Sequence, residues 1–117
     1  MDAEEFIDTI KQVVRDAAIR DSLSIVEHPP GKKPSQRLTE MAEWYSSLDN
    51  RSRKLVASLV AEAIDTAIFG FLCVVDGVRA AENTPAKGRF ELLHIGERVT
   101  LLNAPEGIML HDLYSAQ

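Results

Sequence analysis

The chain of 117 residues has one cysteine, Cys73, so no disulfide can form within a single copy. It has no phosphate-cradling glycine loop, dinucleotide fingerprint, nucleophile elbow or zinc-type cysteine pair, which lowers the expectation of an enzyme. Basic charge is in deficit: 13 Lys and Arg stand against 18 Asp and Glu, a formal net charge of −5. Phosphate backbones repel such a chain, so nucleic acid is not the expected partner, whereas a basic protein is compatible with it. The start, Met1-Asp-Ala-Glu-Glu5, is acidic, and no apolar run follows a basic segment there. No signal peptide is read from it, and a cytoplasmic location is the expectation. Internal repeats and low-complexity segments are absent as well. With 45% apolar and 26% charged residues, the chain has the composition of one ordinary domain covering 1–117.

What is present, above all, is one apolar stripe. Leu55, Val56, Leu59, Val60, Ala63, Ile64, Ala67, Ile68, Phe71, Leu72 and Val75 recur at steps of three and four residues. That is helical spacing, held for more than five turns at ~3.6 residues per turn. Asp49 or Asn50 supplies an N-cap, and Gly77, free to take positive φ, supplies the stop. Between Ala67 and Val75 every residue is apolar or Gly, so this end needs cover on all sides. The cover for the Phe69/Cys73 side is either the rest of the chain or a second copy. A buried strand over Phe69–Val75 is the alternative, but the helical phase runs unbroken through Gly70. A membrane span needs ~20 predominantly apolar residues. Glu62 and Asp65 interrupt such a window, so no membrane partner is expected.

Around this helix the pattern predicts an α+β fold. Residues 1–21 read as an amphipathic helix whose apolar face is Phe6, Ile10, Val13, Val14 and Ala17, leaving near Arg20–Ser22 into a short extended piece at Leu23–Val26. His28–Ser35 holds three of the five prolines and cannot be helical. Residues 36–77 form a helical hairpin, with Leu38, Met41, Trp44 or Tyr45, and Leu48 as the inner positions of its first arm. Strands are predicted at Arg89–Ile95 and Arg98–Leu102 about a two-residue turn at Gly96-Glu97. Phe90, Leu92 and His94 would line one face, with Val99 and Leu101 opposite. The small antiparallel sheet of 89–115 closes with Ile108–Leu110 as a third strand or with Leu110–Tyr114 as a helical turn.

The candidate functional residues follow from side-chain chemistry. Trp44 and Tyr45 should divide between core and rim, with the core the expected place of Trp44; an exposed aromatic beside Arg51 or Arg53 makes an interaction anchor. Glu62 and Asp65, three apart, share a helix face, and a solvated acidic stripe outweighs a paired acid/base or cation site. Lys32 and Lys33 make the Pro-rich loop locally basic. Phe69 and Cys73 are the candidate self-association face. Asp76 opposes the helix dipole and needs a partner, Arg79 or a backbone N–H of the turn. With His94 and His111 it defines an alternative pocket between helices and hairpin. The histidines, including His28, stand too far apart in sequence for a metal motif, so neither metal nor cofactor is expected.

The run Phe69-Gly-Phe-Leu-Cys-Val-Val-Asp-Gly-Val-Arg79, with Pro29-Pro-Gly-Lys-Lys-Pro34, Glu43-Trp-Tyr45 and Leu110-His-Asp-Leu-Tyr114, resembles small uncharacterised bacterial proteins that carry a central apolar helix ending in Asp-Gly. The resemblance covers about residues 28–115. In size, acidity and layout the chain is also similar in general type to toxin-neutralising immunity proteins. The leading expectation is therefore a protein that binds another protein. A small enzyme or ligand-binding domain and a self-associating structural protein, a homodimer, are the alternatives.

Overall fold

A computed structural model describes residues 1–116 and has the α+β architecture. The order is α1 (Ala3–Ile10), a π-helical stretch (Lys11–Asp16), α2 (Ala17–Glu27), α3 (Gln36–Ser46), α4 (Asn50–Val75), β1 (Leu93–Ile95), β2 (Val99–Leu101) and α5 (Leu110–Ser115). The chain divides into two compact units, one of residues 1–13 and 66–117, the other of residues 14–65.

The first unit carries the main core. Ile7, Leu72, Val75, Leu110 and Tyr114 are buried together, and Phe6, Ile10, Ile68, Phe69, Leu92 and Leu113 pack on them. Helix α1 begins with a capping box: Asp2 accepts from the Glu5 N–H, and Glu5 accepts from the Asp2 N–H. Two orphan donors of the first turn are satisfied that way. Lys11 donates to the Ala116 carbonyl at 3.3 Å and lies 5.7 Å from the Tyr114 ring centroid, tying α5 to the α1 side.

Helix α4 runs unbroken from Asn50 to Val75, so the Phe69–Val75 segment is helix and not strand. Asp49 is its cap: the carboxylate accepts from Ser52 N–H at 2.7 Å. At the far end Gly77 has φ +79°, Gly77 N–H donates to the Val74 carbonyl, and Val78 N–H reaches the Cys73 carbonyl. These are the paired bonds of a Schellman stop, and a side chain at Gly77 would be strained. Asn103 then clips the helix end to the hairpin. Its amide donates to the carbonyls of Val75 and Phe90, and its oxygen accepts from Leu92 N–H.

The sheet has two strands, paired Leu93 with Leu101, His94 with Thr100 and Ile95 with Val99. Three residues, Gly96 to Arg98, make the turn in place of the expected two, and Gly96 has negative φ. Leu92 and His94 share the half-buried face, as expected, with Leu102 buried beside them, whereas Phe90 is exposed. A strand has period two, so Leu93, Ile95 and Val99 lie on the other face and point to solvent. No third strand forms among the described residues, since Leu110–Ser115 is helical.

In the second unit α2 continues to Glu27, and the extended piece expected at Leu23–Val26 is helix. Leu23 and Val26 are half-buried at a helical interval, and the helix ends only where Pro29 pushes His28 out of the α region. Val14, and Val13 at the end of the first unit's leading segment, are expected inside but are exposed on the π-helical stretch, where the extra residue per turn carries them off the apolar stripe. Arg15 grips Asp65 with two hydrogen bonds, of 2.7 and 3.2 Å. Hydrogen bonding to Asp65, then to Asp16, holds the guanidinium pKa above its ordinary value.

Candidate interaction surfaces and the Asp76–His111 cluster

Helix α3 separates the aromatic pair. Tyr45 is buried, its hydroxyl 3.5 Å from a Glu27 carboxylate oxygen and its ring 5.3 Å under the Arg53 guanidinium. Arg53 also donates to the carbonyls of Tyr45 and Ser46, orphan acceptors at the end of α3. Trp44, expected in the core, is 55% exposed, and Met41 one turn earlier is exposed on the same face. The two acids of α4 part company. Asp65 turns to Arg15, whereas Glu62 stays in solvent. Lys32 and Lys33 are exposed on the Pro-rich loop.

Phe69 and Cys73 lie inward. Cys73 is buried, and Phe69 packs on the core with its ring edge-on to His111, the centroids 5.6 Å apart. The cover this side requires thus comes from the chain itself. The outward residue of this end is Phe71, and towards the start of α4 it is Leu55 and Leu59. An 18-residue stretch of α4 has mean hydropathy 1.9, yet only 22% of it is buried. Glu62 and Asp65 do not exclude a span on length and composition, because α4 is long and apolar enough to cross a membrane.

Of the three pocket residues, Asp76 and His111 meet. One Asp76 carboxylate oxygen lies 2.8 Å from His111 N–H and 2.7 Å from His111 Nδ1. The partner of Asp76 is therefore a backbone N–H of α5, not Arg79 or its own turn. The carboxylate sits at the positive end of a helix whose N-cap, Met109, has no capping side chain. That contact offsets its unfavourable place at the negative end of α4. His111 Nε2 lies 3.4 Å from Asp112, so both ring nitrogens face carboxylates. His94 belongs elsewhere. It lines an open depression of about 510 Å³ with Met1, Asp2, Glu5, Arg98 and Thr100. Its Nδ1 is buried without a hydrogen-bond partner among the described residues. Those residues also include no group of three His, Cys, Asp or Glu placed to hold a metal ion.

Against family models, curated proteins and solved structures, the chain finds no match.

Several residues that matter here escape sequence reading. Asn103 gives no periodic signal, and its role exists only where Val75, Phe90 and Leu92 converge. Leu55 and Leu59 read as core because periodicity reports an apolar face without saying what covers it.

Proposed function

We propose that this protein works by binding another protein, with Trp44 as the anchor. The observation that carries this reading is the exposure of the chain's one tryptophan, 55%, beside an exposed Met41. Tryptophan is enriched among the few interface residues that dominate binding energy, and methionine adapts to a partner's contour. Helix α3 is pinned from beneath by Tyr45 and Arg53, so Trp44 stands on a rigid support and little ordering cost falls on association. The exposed Lys32 and Lys33 loop and exposed Glu62 supply polar contacts, and the net charge of −5 favours a basic partner. Neutralisation of a bacterial toxin in the cytoplasm, in the manner of an immunity protein, is the specific form proposed.

The test is purification from the native host, identification of what co-elutes, and repetition with Trp44→Ala. A partner retained by wild type and lost by a folded Trp44→Ala protein supports the reading. A partner that suppresses growth when produced alone, and not when co-produced with this chain, supports the immunity form. A wild-type protein that elutes alone at every concentration overturns both.

A further inference from the structure

Leu55 and Leu59 stand one turn apart on α4 and are 62% and 70% exposed. Single exposed leucines are ordinary, but this pair has a setting that is not. Across residues 14–65, Tyr45 is the only large apolar side chain that is buried, so the leucines are not the overflow of a filled core.

Charges flank the pair on the same face. Arg51 precedes Leu55 by four residues, Glu62 follows Leu59 by three, and both are exposed. Read along the helix, the order is cation, leucine, leucine, anion. Read backwards it is anion, leucine, leucine, cation. A second α4 running the opposite way therefore presents the complement of this face, whereas a parallel one sets like charge against like.

We propose that α4 docks on α4 of a second copy about a two-fold axis level with Ala57. Leu55 then meets Leu59 of the partner copy, and Arg51 comes within about one residue rise, ~1.5 Å, of the level of Glu62 of the partner copy. Symmetry makes each contact twice. Lys54, exposed on the same flank, adds to the cationic end. Trp44 lies on a different helix, α3.

Sedimentation of the full chain tests the proposal. The wild type is expected to be a dimer, and Leu59→Asp a monomer with an unchanged helical circular dichroism spectrum. Arg51→Glu and Glu62→Arg should each weaken association by roughly tenfold, as two ion pairs become repulsions. The double variant, which restores both pairs with reversed sign, should recover wild-type affinity. These charge variants keep the test sharp if Leu59→Asp fails to fold. A wild type that is monomeric at high micromolar concentration overturns the proposal, as does a dimer indifferent to Leu59→Asp. Failure of the double variant to recover overturns the antiparallel pairing. Flotation with phosphatidylcholine–phosphatidylglycerol vesicles, by a wild type monomeric in their absence, would assign the face to lipid and overturn it too.

Discussion

A single carboxylate oxygen of Asp76 serves His111 twice, 2.8 Å from its backbone N–H and 2.7 Å from its Nδ1. An ionised carboxylate only accepts, so the ring carries its proton on Nδ1. The Asp76 side chain is 2% exposed and the His111 side chain 13%. The contact joins the end of α4 to the start of α5, two helix termini whose dipoles meet at one charge.

Asp76→Ala should therefore destabilise the fold by about 2–3 kcal/mol, the worth of hydrogen bonds to a charged group plus the cost of orphaning buried donors. Asp76→Asn keeps an acceptor for the backbone N–H and should lose about half as much. Urea midpoints at constant slope measure both. Equal losses would show that only the charge matters.

The long helix, its start at Asp49 and its stop at Gly77 were legible in sequence because each rests on local chemistry: helical spacing, an acceptor for Ser52 N–H, and a residue that takes φ +79°. The fold class followed from the order of elements. What failed depended on a partner far along the chain. Trp44 and Tyr45 are adjacent and equally apolar in pattern, and only Glu27 and Arg53 decide which goes inside. The hairpin turn takes three residues, Gly96 to Arg98, and the hairpin is also held by Asn103, whose side-chain oxygen accepts from Leu92 N–H eleven residues away. Side-chain chemistry marks Asp76 and His111 as pocket residues, but the sequence holds no trace that the short α5 takes its cap from Asp76 at the end of α4.

Gly70 is buried within α4, and a Cβ built there would come 2.5 Å from the Arg79 guanidinium. The obstacle is the tip of a flexible side chain. Gly70→Ala with Arg79→Ala should therefore gain about 1 kcal/mol from helix propensity alone. Gly70→Ala by itself should gain less, because Arg79 must move. Thermal midpoints of the two variants give the comparison, and a loss in the double variant would place the constraint in the backbone instead.

Accepting from Ser52 N–H holds the Asp49 carboxyl below its ordinary pKa. A group depressed in the folded state stabilises it above the unfolded pKa, and the contribution disappears as pH falls through the folded value. Acidification should therefore fray the first turn of α4 in wild type. In Asp49→Asn, where nothing titrates at this position, that step should vanish. Amide chemical shifts of Ser52 and Arg53 followed against pH report it residue by residue.

Adjacent aromatics on α3 offer the cleanest contrast. Tyr45 is 6% exposed and Trp44 55%. Tyr45→Ala removes a buried ring and leaves Arg53 without its stacking surface, so a loss of about 3–5 kcal/mol is expected. Trp44→Ala removes a ring that is half in solvent, and stability should change by no more than about 0.5 kcal/mol. The two variants are thus matched in sequence position and opposite in consequence: one unfolds more readily, and the other remains folded and loses its partner. Denaturation midpoints and a binding assay on the same preparations separate them. If Trp44→Ala proves as costly to folding as Tyr45→Ala, Trp44 is structural and the anchor must be sought on another face.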